Sequence, residues 1–525
     1  MTMRRNFIAG LLVVCGVWMD PATATTLRWA NDGDINALDP MTRQETLQIS
    51  FLSNIYETLL RRTPDLSLEP ALAERWEQTT PTTWRFHLRP NVKWQDGSAF
   101  TADDVIFSLQ RILSPTSSLR ANMASVKAAR KLDDLTVEFE THQPNPILPQ
   151  EQTQFLIMSK RWSEAHGAAE PPLIGKEEGY ALRHAMGTGP YRLVSREPDR
   201  KTVVERNPGW WDKAGVDADR VEFNVIQSAP TRVAALLSGE VDLIHAVPPQ
   251  DMPRISQTAG LHILQHPELR TMYLGFNVGG AVLKNSNVSG ANPLRDLRVR
   301  RAFALAVDEP AIISRIMKGL GRHSGLMWGP GVNGYSAASD KPIMPDVPEA
   351  KRLLVEAGYP DGFTITLDCT NDRYMMDEQI CTAITAMLAR IGIKVSLQAQ
   401  TKGRFFTQVL APNYDTDFWM LGWTPATYDA HNVLYTLLGT RDGKRGEANI
   451  GAYSNPRLDA LIAAIGTETD QAKRDAMIQE AAAIVRQDLP VVPLHQQVMV
   501  WAVKDGIKVA QLADNSFPYR YIKMK

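Results

Sequence analysis

The residues best suited to hold a small molecule lie in the stretch 421–434, LGWTPATYDAHNVL, where Trp423, Tyr428, Asp429 and His431 follow in quick succession. Aromatic rings supply desolvated contact area, and a carboxylate or imidazole fixes a ligand's orientation. The same pattern also suits a surface loop whose Trp packs on the core. A second candidate is Arg373 with Tyr374, in TNDRYMMDEQI, on the loop between a predicted strand and a predicted helix. Open α/β sheets meet their ligands at the carboxyl ends of such strands. The planar guanidinium fits a carboxylate or phosphate, unless Asp372 or Asp377 takes it. Met41, within Asp39-Pro40-Met41-Thr42, is read either as cleft lining or as part of a plain turn. His495 is read as a ligand contact or a satisfied structural histidine.

Catalytic signatures are missing. The chain has no GxSxG, no HExxH and no GxxxxGK[ST]. Gly319-Leu320-Gly321 lacks the preceding strand and third glycine of a dinucleotide loop, and reads as a helix stop. The histidines are scattered without a metal-binding cluster, so neither a metal nor a cofactor is expected. The paired acids Asp103-Asp104 and Asp133-Asp134 fall at a helix start and a turn, where they cap or solvate.

The elements that must position the candidates are legible in apolar spacing. Leu47, Phe51, Ile55, Leu59 and Leu60 predict an amphipathic helix over 46–61. Thr83 to Arg89 alternates as a strand, and Thr101 with Asp104 forms a capping box for a helix through Ile112. Further helices are expected from Pro230 to Gly239, Arg298 to Val307, Glu349 to Ala357 and Asp377 to Arg390, with Gly358 and Gly392 as stops. Strands are expected at 363–367 and 393–399. Alternating strands and helices over this region predict an α/β lobe, flanked by strand-rich segments.

A chain of 525 residues has room for several domains, and 44% hydrophobic with 22% charged residues is ordinary for a globular protein. With 57 basic and 58 acidic residues it carries no cationic excess to hold nucleic acid. The N-terminus shows Arg4 and Arg5, an apolar run from Phe7 to Met19, and Ala22-Thr23-Ala24, the order of a cleaved signal peptide spanning 1–24. Cleavage after Ala24 implies a periplasmic protein; a lipid-modified Cys15 is the rival reading. Export would leave Cys369 and Cys381 in an oxidising compartment, where a disulfide competes with two free thiols.

One stretch, 71–97, ALAERWEQTTPTTWRFHLRPNVKWQDG, closely resembles the signature of family 5 extracellular solute-binding proteins, which serve dipeptide and oligopeptide ABC transporters. GTGPYRLVSR at 187–196, ERNPGWWD at 205–212, ALLSGEVDLIHAVPP at 235–249, MYLGFNV at 272–278, LRDLRVRRAFALAVDEPAII at 294–313 and EAKRLLVEAGYPDGF at 349–363 match in the same order. The resemblance implies an α/β clamshell: lobe one over 25–270 plus 490–525, with a strand-rich subdomain over 62–180, and lobe two over 271–489. Crossings are expected near Leu269 to Asn277 and Leu489 to Gln496. It implies a monomer that captures a peptide-like or other small polar ligand and delivers it to an inner-membrane ABC permease. An exported hydrolase, or a solute sensor with the same fold, is the alternative. Peptide-binding members resemble GWxxD here, their Asp holding the peptide's amino group. Aligning Gly422-Trp423 puts Ala426 at that place, so either Asp429 takes over the cation or the ligand has no free amino terminus.

Overall fold

A computed structural model describes residues 24–173, 177–212 and 214–525. The predicted signal peptide, and Cys15 within it, lie outside the described residues up to position 23. Two long neighbouring strands, Leu261–Phe276 and Val491–Lys504, run antiparallel through the middle of an eleven-stranded sheet. The N-terminal part of the first pairs with the C-terminal part of the second, Leu261 facing Lys504 and Pro267 facing Val498; past a break in register, Thr271 faces Gln496 and Gly275 faces Val491. Pro267 has no N–H to give the ladder, and proline inside a sheet accompanies such irregularities. Residues Glu268 to Arg270 occupy the break.

On one side the sheet continues through Leu243–Ile244, Thr26–Asn31, Arg220–Val225, Lys201–Arg206 and Tyr191–Glu197. On the other it continues through Phe418–Trp423, Thr364–Thr370 and Lys394–Gln400, the last two parallel. Thr364–Thr370 is buried along nearly its whole length, as a parallel strand covered on both faces must be. The protein is thus an α/β molecule of two lobes sharing one sheet. A separate antiparallel sheet, ordered Ala73–Thr80, Thr83–Leu88, Thr136–Thr141, Val126–Asp133, has its own core around Phe86, Phe139 and Trp94.

Helix ends follow the sequence closely. Thr101 and Asp104 form their reciprocal box at the start of Ala102–Leu113. Ser228 caps Ala229–Ser238, which stops at Gly239 with φ 77°. Asp296 caps Leu297–Ala306, and Asp346 caps Val347–Glu356. None of the described helices is long and apolar enough to cross a membrane.

The helix expected over 46–61 ends at Leu52. The Asn54 amide donates to the carbonyls of Ser50 and Phe51, and the Ser53 hydroxyl to Ser50, which competes with the helical ladder. The next backbone groups serve another segment: Gly189 N–H donates to the Ile55 carbonyl and Tyr191 N–H to that of Asn54. A Cβ at Gly187 would stand 1.8 Å from the Ile55 oxygen, so only glycine fits this crossing. Residues 60–62 instead form a strand with Leu68–Pro70.

Met41 does not line a cleft. It is 1% exposed and packs in the core of the strand-rich sheet, while its neighbour Asp39 is buried against the Arg111 guanidinium. The sulfurs of Cys369, near the end of Thr364–Thr370, and Cys381, in helix Asp377–Ala389, are bonded, with Cα atoms 6.8 Å apart.

Candidate ligand-binding site

Three expected residues meet at the carboxyl end of the parallel strands. Trp423 ends Phe418–Trp423 opposite Thr271, half-buried, with its indole Nε1 3.4 Å from Asn432 Oδ1. The residue before it is Gly422, where a Cβ would meet Arg270 Cδ at 2.7 Å and the Tyr374 ring at 3.0 Å. Tyr374 therefore lies close against the strand backbone, its ring flanked by the guanidinium carbons of Arg270 at 5.7 Å and Arg373 at 5.4 Å. Burial raises the Tyr374 pKa, and the two arginines oppose the shift.

Arg270 and Arg373 differ in their partners. Arg270 pairs with the buried Glu268 at 3.1 Å. Arg373 is exposed and has no ion-pair partner among the described residues. The two acids nearest it in sequence, Asp372 and Asp377, are committed elsewhere. Asp377 accepts from the Thr370 hydroxyl at 2.7 Å and from the N–H groups of Arg373 and Tyr374, and Asp372 accepts from the N–H of Lys402.

Two residues in the stretch after Trp423, and one on the long strand Val491–Lys504, depart from expectation. Asp429 is fully buried; Arg474 donates to both its oxygens at 2.7 and 2.8 Å, Asn333 donates at 2.7 Å, and the N–H of His431 at 2.8 Å. With both oxygens engaged by a buried fork it cannot accept a ligand cation. His431 turns away from the strand end: its Nε2 lies 3.1 Å from the Ile462 carbonyl, and burial lowers its pKa. His495, on the strand Val491–Lys504, is fully buried with Nδ1 2.5 Å from Glu309 Oε1, a structural pair.

Tyr428 points the other way, into contact with the opposite half of the molecule. Its hydroxyl donates to Asp514 and lies 3.4 Å from the Gln154 amide, and its ring carries the Arg62 guanidinium at 4.2 Å. Burial, then the nearby Asp514 charge, pushes its pKa well up. Leu66 and Leu269 add apolar contact beside Gly331. Beside Tyr428 lies a cavity of about 90 Å³ lined by Glu57, Arg61, Arg62, Gln154, Asp514 and Arg520 among others. Glu57 accepts from the indole N–H groups of Trp210 and Trp211, yet burial still raises its pKa. The hydroxyls of Thr424 and Thr427, on the same loop, are buried without a partner.

The family described as bacterial extracellular solute-binding proteins, family 5 Middle, matches residues 67–445. The chain belongs to this family. As a family 5 protein it is the solute-binding component of an ABC transporter. It is similar to the probable deoxycholate-binding periplasmic protein YgiS of Escherichia coli K12, 26% identical with 92% of this chain and 90% of the relative covered. It is also 26% identical to the glutathione-binding protein GsiB of Pectobacterium atrosepticum, with 96% and 95% covered. Among solved structures it is similar to the binding protein AgaA of A. tumefaciens R10 in complex with agropinic acid, with TM-score 0.76, 26% identity, and 95% of this chain and 99% of that one covered.

Within this family 5 protein, sequence reasoning missed Arg62, Gln154, Asp514 and the threonine pair. Arg62 and Asp514 are separated from Tyr428 by hundreds of residues in one direction and 86 in the other. No periodicity or local motif links them. The only hint was the Arg61-Arg62 doublet at the end of an apolar run, where two adjacent cations have no acid beside them in sequence.

Proposed function

We propose that this protein is exported to the periplasm, with its signal peptide removed near Ala24, and captures a small polar, anionic ligand lacking a free peptide amino terminus. It works as a monomer, hands the ligand to an inner-membrane ABC permease, performs no chemistry and binds no nucleic acid. Lobe one comprises 25–270 and 490–525, with the strand-rich subdomain within 62–180, and lobe two 271–489. The register break at Glu268 to Arg270 and the separate cores support these boundaries. Trp423 and Tyr374 form the ligand wall and Arg373 engages its negative charge.

The observation that carries the ligand class is the pairing of Ala426 with a locked Asp429. Ala426 has no carboxylate where peptide-binding members place one. Asp429, the candidate offered by the sequence to replace it, is spent on Arg474. An ammonium buried there without a counter-charge costs several kcal/mol. Deoxycholate and agropinic acid, named for two relatives, are acids of other kinds than peptides, which fits this reading.

Ligand capture by two lobes makes binding and closure one linked equilibrium. Thermal-shift comparison of unmodified dipeptides with N-acylated and other acidic conjugates tests the proposal. Acidic ligands without an amino terminus are expected to raise Tm, and unmodified dipeptides to leave it unchanged. Unmodified dipeptides as the strongest stabilisers would falsify it.

A further inference from the structure

The cavity beside Tyr428 holds an arginine that is only partly used. Arg62 Nη1 donates to the Leu66 carbonyl at 2.7 Å, while Nε and Nη2 are buried without any hydrogen-bond partner. Those two nitrogens form one edge of the planar guanidinium, the edge whose parallel N–H bonds match the two oxygens of a carboxylate. No carboxylate lies within ion-pair distance of Arg62 among the described residues: Asp514 is taken by the Tyr428 hydroxyl and the N–H of Ser516, and Glu69 by Arg61. Arg520 lines the same cavity, donates Nη2 to the Arg62 carbonyl at 2.7 Å, and likewise leaves its Nε without a partner. Leaving such donors buried and unpaired is costly, and a charged one more so.

We infer that the Arg62 edge, with Arg520 beside it, is a carboxylate-binding subsite for the captured ligand. The inference rests on the solute-capture reading and narrows it to ligands bearing a carboxylate that reaches this cavity. The cavity has room for a carboxylate and its adjoining carbons. Stacking on Tyr428 holds the plane of the guanidinium, so the fork is oriented before the ligand arrives. Because Arg62 and Tyr428 come from opposite halves of the molecule, the subsite is complete only when those halves meet. A carboxylate bound there therefore stabilises the closed arrangement.

The test uses the full mature chain and two probes, N-acetyl-dialanine and its carboxamide, measured by calorimetric titration. The wild type is expected to bind the acid at least tenfold more tightly than the amide. Measured in an Arg373→Ala background, so that the exposed cation at the strand end contributes nothing, Arg62→Met removes that preference, while Arg62→Lys, which keeps the charge without the fork, retains part of it; circular dichroism of the variants checks folding. Equal affinity for the two probes, no binding of the acid, or a preference surviving in Arg62→Met overturns the subsite. Mass spectrometry of molecules released on denaturing the wild type separates this from the parent reading. A released solute without a carboxylate defeats the subsite and leaves solute capture standing. Release of nothing, together with unchanged solute uptake in a deletion strain, defeats solute capture itself.

Discussion

Tyr428 turns toward the opposite lobe, where its hydroxyl meets Asp514 and its ring carries Arg62, whereas the adjoining Asp429 turns inward onto Arg474 and Asn333. The backbone explains how neighbours diverge. Tyr428 sits at φ 56°, in the left-handed region, and Asp429 returns to extended geometry at φ −134° as the cap of Ala430–Val433. A left-handed non-glycine residue is costly by about 1 kcal/mol or more, so the packing on both sides must hold it there. The lesson is that polar residues divide by whether their hydrogen bonds are complete. Asp429 is satisfied and structural; Arg62, across the seam, has a whole edge left over.

The largest effect expected from this contrast is at Asp429. Asp429→Ala strands the buried Arg474 and lowers stability by about 3–5 kcal/mol, read from urea denaturation. A variant that kept its stability and lost only ligand affinity would reverse the roles given to the two neighbours.

Glu151 offers an intermediate case, a buried carboxyl with neutral partners only. It accepts from Ser125 and Asn145, and burial, reinforced by the Asp429 charge, raises its pKa to about 7. The folded protein therefore binds a proton that the unfolded chain releases near pH 4.5. Its contribution to stability is fully present below about pH 4.5 and is lost as pH rises through about 7, a change on the order of 3 kcal/mol. Glu151→Gln removes this slope and raises Tm at pH 8 relative to the wild type, with little change at pH 4. An unchanged pH profile would show the carboxyl already ionised and paired.

Smaller effects sharpen the distinction on the ligand side. Trp423→Ala is expected to weaken solute binding by about 2 kcal/mol, as loss of a central aromatic anchor does, measured by titration with a solute found to raise Tm. Tyr428→Phe removes one hydroxyl bond to Asp514 and lowers stability by about 1 kcal/mol. Arg373→Ala leaves stability within about 0.5 kcal/mol, because the side chain is exposed, yet weakens binding of an anionic solute. A drop in Tm as large as that of Asp429→Ala would mean Arg373 is structural after all.

Much of the scaffold was open to reading in one dimension. The cap at Thr101 and the stops at Gly239 and Gly392 are local hydrogen-bond and steric signals, so the helices around them start and end close to where those residues stand. Arg373 and Tyr374 could be placed at a strand end because alternation of strand and helix predicts such ends, and Trp423 stood out as an aromatic among polar residues in 421–434. The failures share a cause. Helix 46–52 stopped early because a segment near Gly189 claims its backbone, and Met41, Asp429 and His495 were consumed by residues far along the chain.

The sequence alone determined the lobe-building elements, the family resemblance and the absence of an Asp at position 426, since each depends on residue type and short-range spacing. Tertiary structure alone decided which polar groups remain available. Whether Asp429 is free or locked turns on Arg474, 45 residues away, and whether Arg62 faces a partner turns on Tyr428 and Asp514. Hydrogen-bond satisfaction is a property of three-dimensional neighbours, and a chain read in order does not contain it.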